Sequence, residues 1–212
     1  MPRTPSRRCN VTERQWSLAS ALELFAMMSE APSQSSIAVV NSFSAADVRA
    51  VLCERGWLGE MRENEADAAM EAWIARASEL LGPQAADRGQ LAGLLALVFH
   101  YDASALLDDA ANQAVLTRVG ARQVIRELAN RVLDGGDVDS DRYKEIIDGI
   151  KAALPYRSRV LFHPVRLTLA GRVGEGELDR VILLLDSAAK LGFAKRPKGS
   201  RQRILEFCAA LD

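Results

Sequence analysis

One run of residues in this sequence has the composition of a proton-transfer site. His100, Tyr101 and Asp102 are consecutive, and an imidazole near a carboxylate is a common pair in general acid–base catalysis. However, the run follows an apolar segment that ends at Phe99, so we expect these side chains to pack and cap at a helix end. The only other histidine, His163, precedes a proline and is expected to be structural. No nucleophile and base can be paired, and we predict no catalytic site.

Metal ligands are equally scarce. Asp134, Asp137, Asp139 and Asp141 resemble the start of a calcium loop, but the glycine and the closing glutamate of such a loop are misplaced. The three cysteines are far apart and, with only two histidines in the chain, form no zinc motif. We therefore expect a turn between helices at 134–141, no metal, no cofactor and a reducing, cytoplasmic location.

Positive charge is concentrated at one end of the chain. The 212 residues contain 27 Lys and Arg and 28 Asp and Glu, yet residues 151–212 hold 12 basic and 6 acidic side chains. The first 150 residues are correspondingly acidic. Such asymmetry indicates that one end binds a polyanion. The densest cluster, in which we expect contacts with RNA phosphates, consists of Lys195, Arg196, Lys198, Arg201 and Arg203.

A glycine-rich corner carries two further arginines. Pro164 suits a first helical turn, so a short helix is predicted to begin there. Gly174 and Gly176 permit a tight turn before the next predicted helix. Arg166 and Arg172 would then be exposed where two helices meet. The planar fork of an arginine at such a place suits a phosphate or an unstacked base.

Helical periodicity dominates the elements that must position these residues. Apolar side chains recur every three to four residues, and no alternating pattern predicts a strand. The segment Leu91–Phe99 is apolar on nearly all sides, so we expect it to be a central helix. The proposed N-caps include Ser44, Asp102, and either Ser140 or Asp141.

The predicted fold class is all-α, with about nine helices in two packed groups. We divide the chain into an N-terminal helical extension (1–60), a helical subdomain (61–155) and a basic helical subdomain (156–212). The longest apolar runs are too short to span a bilayer, so no membrane contact is expected. The three tryptophans lie on apolar stripes and are expected in the core: Trp16, Trp57 and Trp73.

Several short segments carry a resemblance to a known family. Residues 161–166 read LFHPVR, 169–172 read LAGR and 176–178 read GEL. Upstream, LVFHYD at 97–102 is followed by ALL at 105–107. These segments resemble the C-terminal anticodon-binding region of bacterial glutamyl-tRNA synthetases, over roughly residues 68–193. The resemblance is most specific in the 161–178 run.

The resemblance implies an α-helical module that receives the anticodon of a tRNA. In the family, the arginine of the proline-x-arginine run and the leucine of the next helix lie against anticodon bases. These roles carry over to Arg166 and Leu178, and Arg172 stands where many members also have arginine. The implied partner is tRNA or a tRNA-like RNA. A protein partner is a further expectation for the acidic N-terminal part.

The chain departs from the family in its catalytic part. It has neither the HIGH nor the KMSKS motif that holds ATP, and no alternation of strands and helices precedes residue 68. The resemblance therefore implies binding without aminoacylation and without a nucleotide site. Two alternatives stay open. One is a helical protein-interaction or regulatory scaffold that has lost RNA binding, and the other is a fragment of a longer synthetase.

Overall fold

The computed structural model describes residues 43–58 and 65–211, and every regular element in these ranges is helical. The all-α class is confirmed for this part of the chain, which alone holds ten α-helices. Trp16 and most of the predicted extension over 1–60 lie outside the described residues. The helices are α1 (Ala45–Glu54), α2 (Glu65–Leu81), α3 (Arg88–Phe99), α4 (Ala103–Asp108), α5 (Ala110–Leu116), α6 (Ala121–Leu133), α7 (Ser140–Ala153), α8 (Ser158–Ala170), α9 (Glu177–Ala189) and α10 (Ser200–Leu211), with a 3-10 helix at Gly82–Gln84.

Polar side chains form N-caps at several of these helices. Ser44, the predicted N-cap of α1, accepts from the backbone N–H of Asp47, and the Asp47 carboxylate accepts from the backbone N–H of Ser44. Asp87, Asp102 and Asp109 cap α3, α4 and α5 through similar bonds to backbone amides. Part of the acidic excess of the first 150 residues is therefore structural, because these carboxylates satisfy amide groups at positive helix ends.

Helix α7 begins earlier than the sequence predicts. Its N-cap is Asp139, whose carboxylate accepts from the backbone N–H of Arg142 at 2.9 Å. The predicted caps, Ser140 and Asp141, lie in the first turn instead. Three adjacent polar residues all have cap-forming side chains, so residue type alone does not choose among them.

Pro164 lies inside α8 rather than in a first turn, which corrects the prediction of a short helix beginning there. Proline removes one helical hydrogen bond and crowds the carbonyl of the preceding turn. Every residue of α8 from Pro164 to Ala170 is buried, so the apolar surface removed from water outweighs that cost.

One hydrophobic cluster joins α1–α3 with α6–α10. Leu91, Leu95 and Val98 of α3 are 0% exposed within it, which confirms the prediction of a central helix. A smaller cluster ties α4 and α5 to α6, α8 and α10. Members of the larger cluster come from both sides of residue 155, and residues 40–212 form one compact unit. The division at residue 155 stays a prediction, and no break in the core accompanies it.

Aromatic rings from α2, α3 and two loops meet in the larger cluster. Trp57 stacks on Phe99 with ring centroids 4.6 Å apart, and Phe193 lies 4.9 Å from Phe99 and 5.0 Å from Trp73. The indole N–H of Trp73 donates to the carbonyl of Leu184 at 3.2 Å, which joins α2 to α9. Trp57 and Trp73 are therefore core residues, as predicted.

A charged side chain, Arg203, is also fully buried. Its guanidinium donates at 2.7–2.9 Å to four backbone carbonyls, those of Leu97, Val98, Leu169 and Lys198. Three of these carbonyls lie in the last turns of α3 and α8, where carbonyl groups lack partners within their own helix. One side chain therefore satisfies the C-terminal ends of two helices.

The charge of Arg203 is balanced without an ion pair to any described carboxylate. Burial lowers the pKa of Arg203 to about 10, so the guanidinium remains charged at neutral pH. The ring of Tyr101 lies 4.6 Å from the guanidinium carbon, and the Tyr101 hydroxyl donates to the carbonyl of Thr168 at 2.6 Å. The negative ends of α3 and α8 supply the rest of the favourable field.

We predict that Arg203→Met lowers the free energy of unfolding by about 3 kcal/mol or more, because four buried carbonyls lose a charged donor. Arg196→Met is the matched control, since Arg196 is exposed and its side chain has no hydrogen bond or ion pair within the described ranges. Urea unfolding followed by circular dichroism measures both midpoints. Equal midpoints for the two variants would contradict the role assigned to Arg203.

Candidate nucleic-acid interface

Arg166, predicted to be exposed at a base-binding corner, is buried, with 8% of its side chain accessible. Its Nε and Nη2 donate to the two carboxylate oxygens of Asp179 at 2.8 and 2.7 Å, and Nη1 donates to the carbonyl of Gly174 at 2.9 Å. The guanidinium also lies 4.9 Å from the centroid of the Phe162 ring. Arg166 therefore holds α8 against α9, and its burial corrects the prediction that it is exposed for an RNA base.

Asp179 connects a third helix to this ion pair. Its Oδ1 also accepts from the hydroxyl of Tyr143 at 2.8 Å, so α7, α8 and α9 meet at one carboxylate. Burial and the charge of Asp179 raise the pKa of Tyr143, which keeps the phenol protonated as a donor. Burial by itself would lower the pKa of Arg166, but the hydrogen bond and charge of Asp179 outweigh it and the pKa rises.

Leu178 and Arg203 are also core residues. Leu178 lies in the first turn of α9, is 0% exposed and belongs to the larger cluster. Its Cδ1 would lie 2.8 Å from a Cβ at Gly174, which explains why this corner carries a glycine. Arg203 is buried by the four carbonyl contacts described above. Their assignment to an RNA surface is corrected, since neither side chain has accessible surface to offer.

Arg172 is exposed, as predicted, but a carboxylate lies close to it. Its Nη2 is 3.7 Å from Oε1 of Glu177, in the first turn of α9. Both residues line a cleft of about 630 Å³ that also contains Asp87 and Gln90. Two carboxylates and one guanidinium give this cleft no positive excess, so its charge does not favour a polyanion.

Three of the predicted cations meet at a second cleft, of about 420 Å³, where the end of α3 approaches the loop before α10. We call this the basic cleft. Its lining residues are Phe99, His100, Tyr101, Asp102, Ala105, Leu106, Lys195, Arg196 and Lys198. Lys198 donates to Glu206 at 2.6 Å and to the carbonyl of Tyr101 at 3.0 Å, so its charge is balanced. Arg196 is exposed and has no such partner in the described part of the chain.

His100 leaves the charge of Lys195 uncancelled. The Lys195 ammonium lies 2.9 Å from Nδ1 and 3.3 Å from Nε2 of His100, and an ammonium only donates, so the accepting nitrogen carries no proton. Burial, followed by the charges of Lys195 and Arg55, lowers the pKa of His100. The basic cleft therefore presents two cations, Lys195 and Arg196, that form no ion pair with a described carboxylate, and the Asp102 carboxylate in the same lining serves as the N-cap of α4.

The run from His100 to Asp102 does not form a catalytic relay. Asp102 accepts from the backbone N–H of Ala105 at 3.2 Å as the N-cap of α4, while the hydroxyl of Tyr101 points to the carbonyl of Thr168. Burial raises the pKa of Tyr101, which keeps its hydroxyl protonated at neutral pH. The predicted packing and capping roles are confirmed.

Arg201, the last of the predicted cations, is exposed but lies elsewhere. It donates to the carbonyl of Leu133 at 2.7 Å, at the C-terminal end of α6, where a cation suits the helix dipole. The structure therefore brings together Lys195, Arg196 and Lys198 and separates Arg201 from them.

A turn between α6 and α7 is present as expected, but it covers residues 134–139, because Ser140 and Asp141 begin α7. Asp139 caps α7, and Asp137 forms an ion pair with Lys190 of the loop after α9. Within residues 43–58 and 65–211, no group of three His, Cys, Asp or Glu side chains is placed to hold a metal ion. No helix in these ranges is long and apolar enough to cross a membrane.

A further basic surface lies in the part of the chain whose net charge is acidic. Arg118, Arg122 and Arg126 are exposed at four-residue spacing, the last two on α6. The spacing is visible in the sequence, and within α6 it places Arg122 and Arg126 on one helical face. The net charge of residues 1–150 is negative, so a count over that whole segment does not reveal these three arginines.

We predict that Asp179→Asn lowers the free energy of unfolding by about 3–5 kcal/mol, because it leaves the buried Arg166 without its counter-charge. Glu175→Gln is the control. Glu175 also approaches Arg166, at 3.9 Å, but its side chain is 66% exposed, so a cost of about 0–1 kcal/mol is expected. Similar decreases in the free energy of unfolding for both variants would contradict a stabilising role of the Arg166–Asp179 ion pair.

We predict that the free energy of unfolding falls as pH is lowered from about 7.5 to about 5. The unfolded chain titrates its histidines near 6.5, whereas burial lowers the folded pKa of both His100 and His163. The unfolded state therefore binds more protons in this window, and acid favours it. Urea midpoints at several pH values should show a flatter profile for His100→Asn, and flatter still for the double variant with His163→Asn. An unchanged profile in the double variant would disprove this cause.

Comparison with known proteins gives no further guide to function. No protein-family model matches this chain, and searches of curated proteins and of solved structures found no match either. Function must therefore be inferred from the residues and their geometry.

Proposed function

We propose that this chain is a non-catalytic tRNA-binding module related to the anticodon-binding region of glutamyl-tRNA synthetases. The observation that carries the proposal is the basic cleft, where Lys195 and Arg196 are accessible and form no ion pair with a described carboxylate. One wall of the cleft is the family-like LVFHYD segment, and the other is the basic cluster after α9. Two independent signals in the sequence thus support the same surface.

The chemistry of the basic cleft suits an RNA backbone. Lys195 offers a point charge and Arg196 a planar fork, and each phosphate that they neutralise releases condensed counterions. His100 is exposed, and its ring lies 5.5 Å from that of Trp57 at an interplanar angle of 63°, so this wall of the cleft provides an accessible aromatic ring, a group suited to an unstacked base. Contacts with phosphates hold the RNA in place, whereas a preference for particular sequences requires contacts with the bases.

The anticodon contacts implied by the resemblance are reassigned in this proposal. Arg166 and Leu178 stabilise the junction of α8 and α9 from inside, so they support the RNA surface without touching it. The RNA contacts are Lys195 and Arg196, with Lys198 at the border of the cleft. Arg172 and Arg201 belong to other parts of the surface.

Filter binding of total tRNA at about 50 and about 200 mM salt tests the proposal. We expect binding by the unaltered chain. For Lys195→Gln with Arg196→Gln we expect weaker binding, with the slope of log K against log salt reduced by up to about 2 in magnitude. The control is Arg88→Gln with Lys151→Gln, which makes the same change in net charge at accessible cations that pair with Glu54 and Asp148. The proposal fails if the unaltered chain binds no tRNA at low salt, or if the cleft variant behaves like the control.

The second candidate is a protein-interaction scaffold, and the burial of Arg166 and Arg203 favours it. These two cations serve the packing of helices, so the positive charge of residues 151–212 overstates what the surface presents. Affinity purification of the full chain from its own cells distinguishes the candidates. A stoichiometric protein partner, together with no tRNA binding by the purified chain at low salt, would replace the tRNA proposal with this one.

A further inference from the structure

We call the three arginines Arg118, Arg122 and Arg126 the arginine row. Arg122 and Arg126 are one turn apart on α6, where four residues advance by about 6 Å, so their charges follow one another along one face. Arg118 lies in the turn before α6 and lines one cleft with Arg122. All three side chains are exposed, and none forms a hydrogen bond or an ion pair with a residue in 43–58 or 65–211.

Single exposed cations without a hydrogen bond or ion pair occur elsewhere in the described chain, at Arg55, Arg76, Lys144 and Arg180, but many accessible cations are paired. Within α6 itself, Arg131 pairs with Glu127 at 2.6 Å. Other accessible pairs join Arg88 to Glu54, Arg159 to Glu175, Lys151 to Asp148 and Lys190 to Asp137. Three unpaired arginines within residues 118–126, a segment that contains no Asp or Glu, are therefore a local concentration of positive charge.

The arginine row borders two adjacent concave surfaces. Arg118 and Arg122 line a cleft of about 390 Å³ with the polar side chains of Gln113, Thr117 and Gln123. Arg122 and Arg126 line a groove of about 160 Å³ with an apolar wall, whose members are Ile125, Ala129, Cys208 and Leu211. Amide and hydroxyl groups suit phosphate and ribose oxygens, and the apolar wall suits the face of a base or sugar.

The turn that presents Arg118 is held in place. Gly120 has φ +90°, which L side chains rarely adopt, and a Cβ there would come within 2.4 Å of the Tyr156 ring. The hydroxyl of Tyr156 then donates to Gln123 of α6 at 2.7 Å. The adjoining Val119 is 84% exposed. The first two cations of the row are therefore presented by a defined turn and helix start.

We propose that the arginine row is a second RNA-binding surface, which contacts the phosphate backbone of the RNA held in the basic cleft. This inference rests on the proposed function. The cleft adjoins the loop before α10, whereas the groove between Arg122 and Arg126 includes Cys208 and Leu211 near the other end of α10. The twelve residues of α10 span about 18 Å, a distance that a folded RNA of tRNA size covers. Guanidinium forks in a row suit a repeating phosphate chain.

The test compares the triple variant R118Q/R122Q/R126Q with the full unaltered chain in tRNA filter binding across salt concentrations. The matched control is R88Q/K151Q/R159Q, which removes the same charge from accessible, ion-paired cations. We expect the triple variant to bind more weakly than the control, with the salt slope reduced in magnitude by about 2 to 3. R118K/R122K/R126K should retain most of the slope because it keeps the charge. If the triple variant does not fold, R122Q is compared with R88Q, with an expected loss of slope of about 0.7 to 0.9.

The outcomes separate this inference from the proposed function. Absence of tRNA binding by the unaltered chain ends both proposals. Binding that the cleft variant weakens but the row variant leaves at the level of its control overturns the arginine row alone. Poly-glutamate is added as a competing ligand. If the row variant loses poly-glutamate binding while its tRNA binding matches the control, the row serves an acidic protein and the inference is overturned.

Discussion

Arg203 brings its guanidinium to the place where the C-terminal ends of α3 and α8 converge, and the packing of the surrounding helices depends on this contact. Two helix ends with unsatisfied carbonyls carry partial negative charge, so their close approach needs a donor and a cation between them. The planar fork of arginine reaches four carbonyls at once, whereas lysine offers three donors from a single nitrogen. Because His100 and Tyr101 directly follow α3, the wall of the basic cleft is also positioned by this contact.

The clamp between Arg166 and Asp179 repeats the same use of arginine at the next junction, where α7, α8 and α9 meet. Because Arg166 and Arg203 are buried, the surface of residues 151–212 presents less positive charge than their composition suggests. Arg201 and Lys198 are also engaged, with a helix end and with Glu206, so Lys195 and Arg196 are what the cluster presents to a ligand. In the acidic part of the chain, several aspartates serve as helix caps, and the arginine row at 118–126 has no ion pair with a described residue.

Features that depend on neighbouring residues were predictable. The helical class, the caps at Ser44 and Asp102, the central α3 and the buried Trp57 and Trp73 follow from periodicity and cap chemistry, which act within a few residues. The start of α8 was not predictable in this way, because a local preference of Pro164 competes with the burial of the segment around it. The run from 161 to 178 carries the resemblance to an RNA-binding region, but Arg166 and Leu178 within it are core residues.

Local sequence patterns predict the helical class, the apolar helix faces and the uneven distribution of charge along the chain. They do not predict which cations face solvent, because that depends on how the helices pack. The physical reason is that a guanidinium is stable either in water or in the core when carbonyls and carboxylates from distant segments surround it. Arg166 and Arg203 meet such partners, contributed by α3, α8 and α9, while Lys195, Arg196 and the arginine row do not within the described chain. Long-range packing therefore separates structural arginines from those available to bind a ligand.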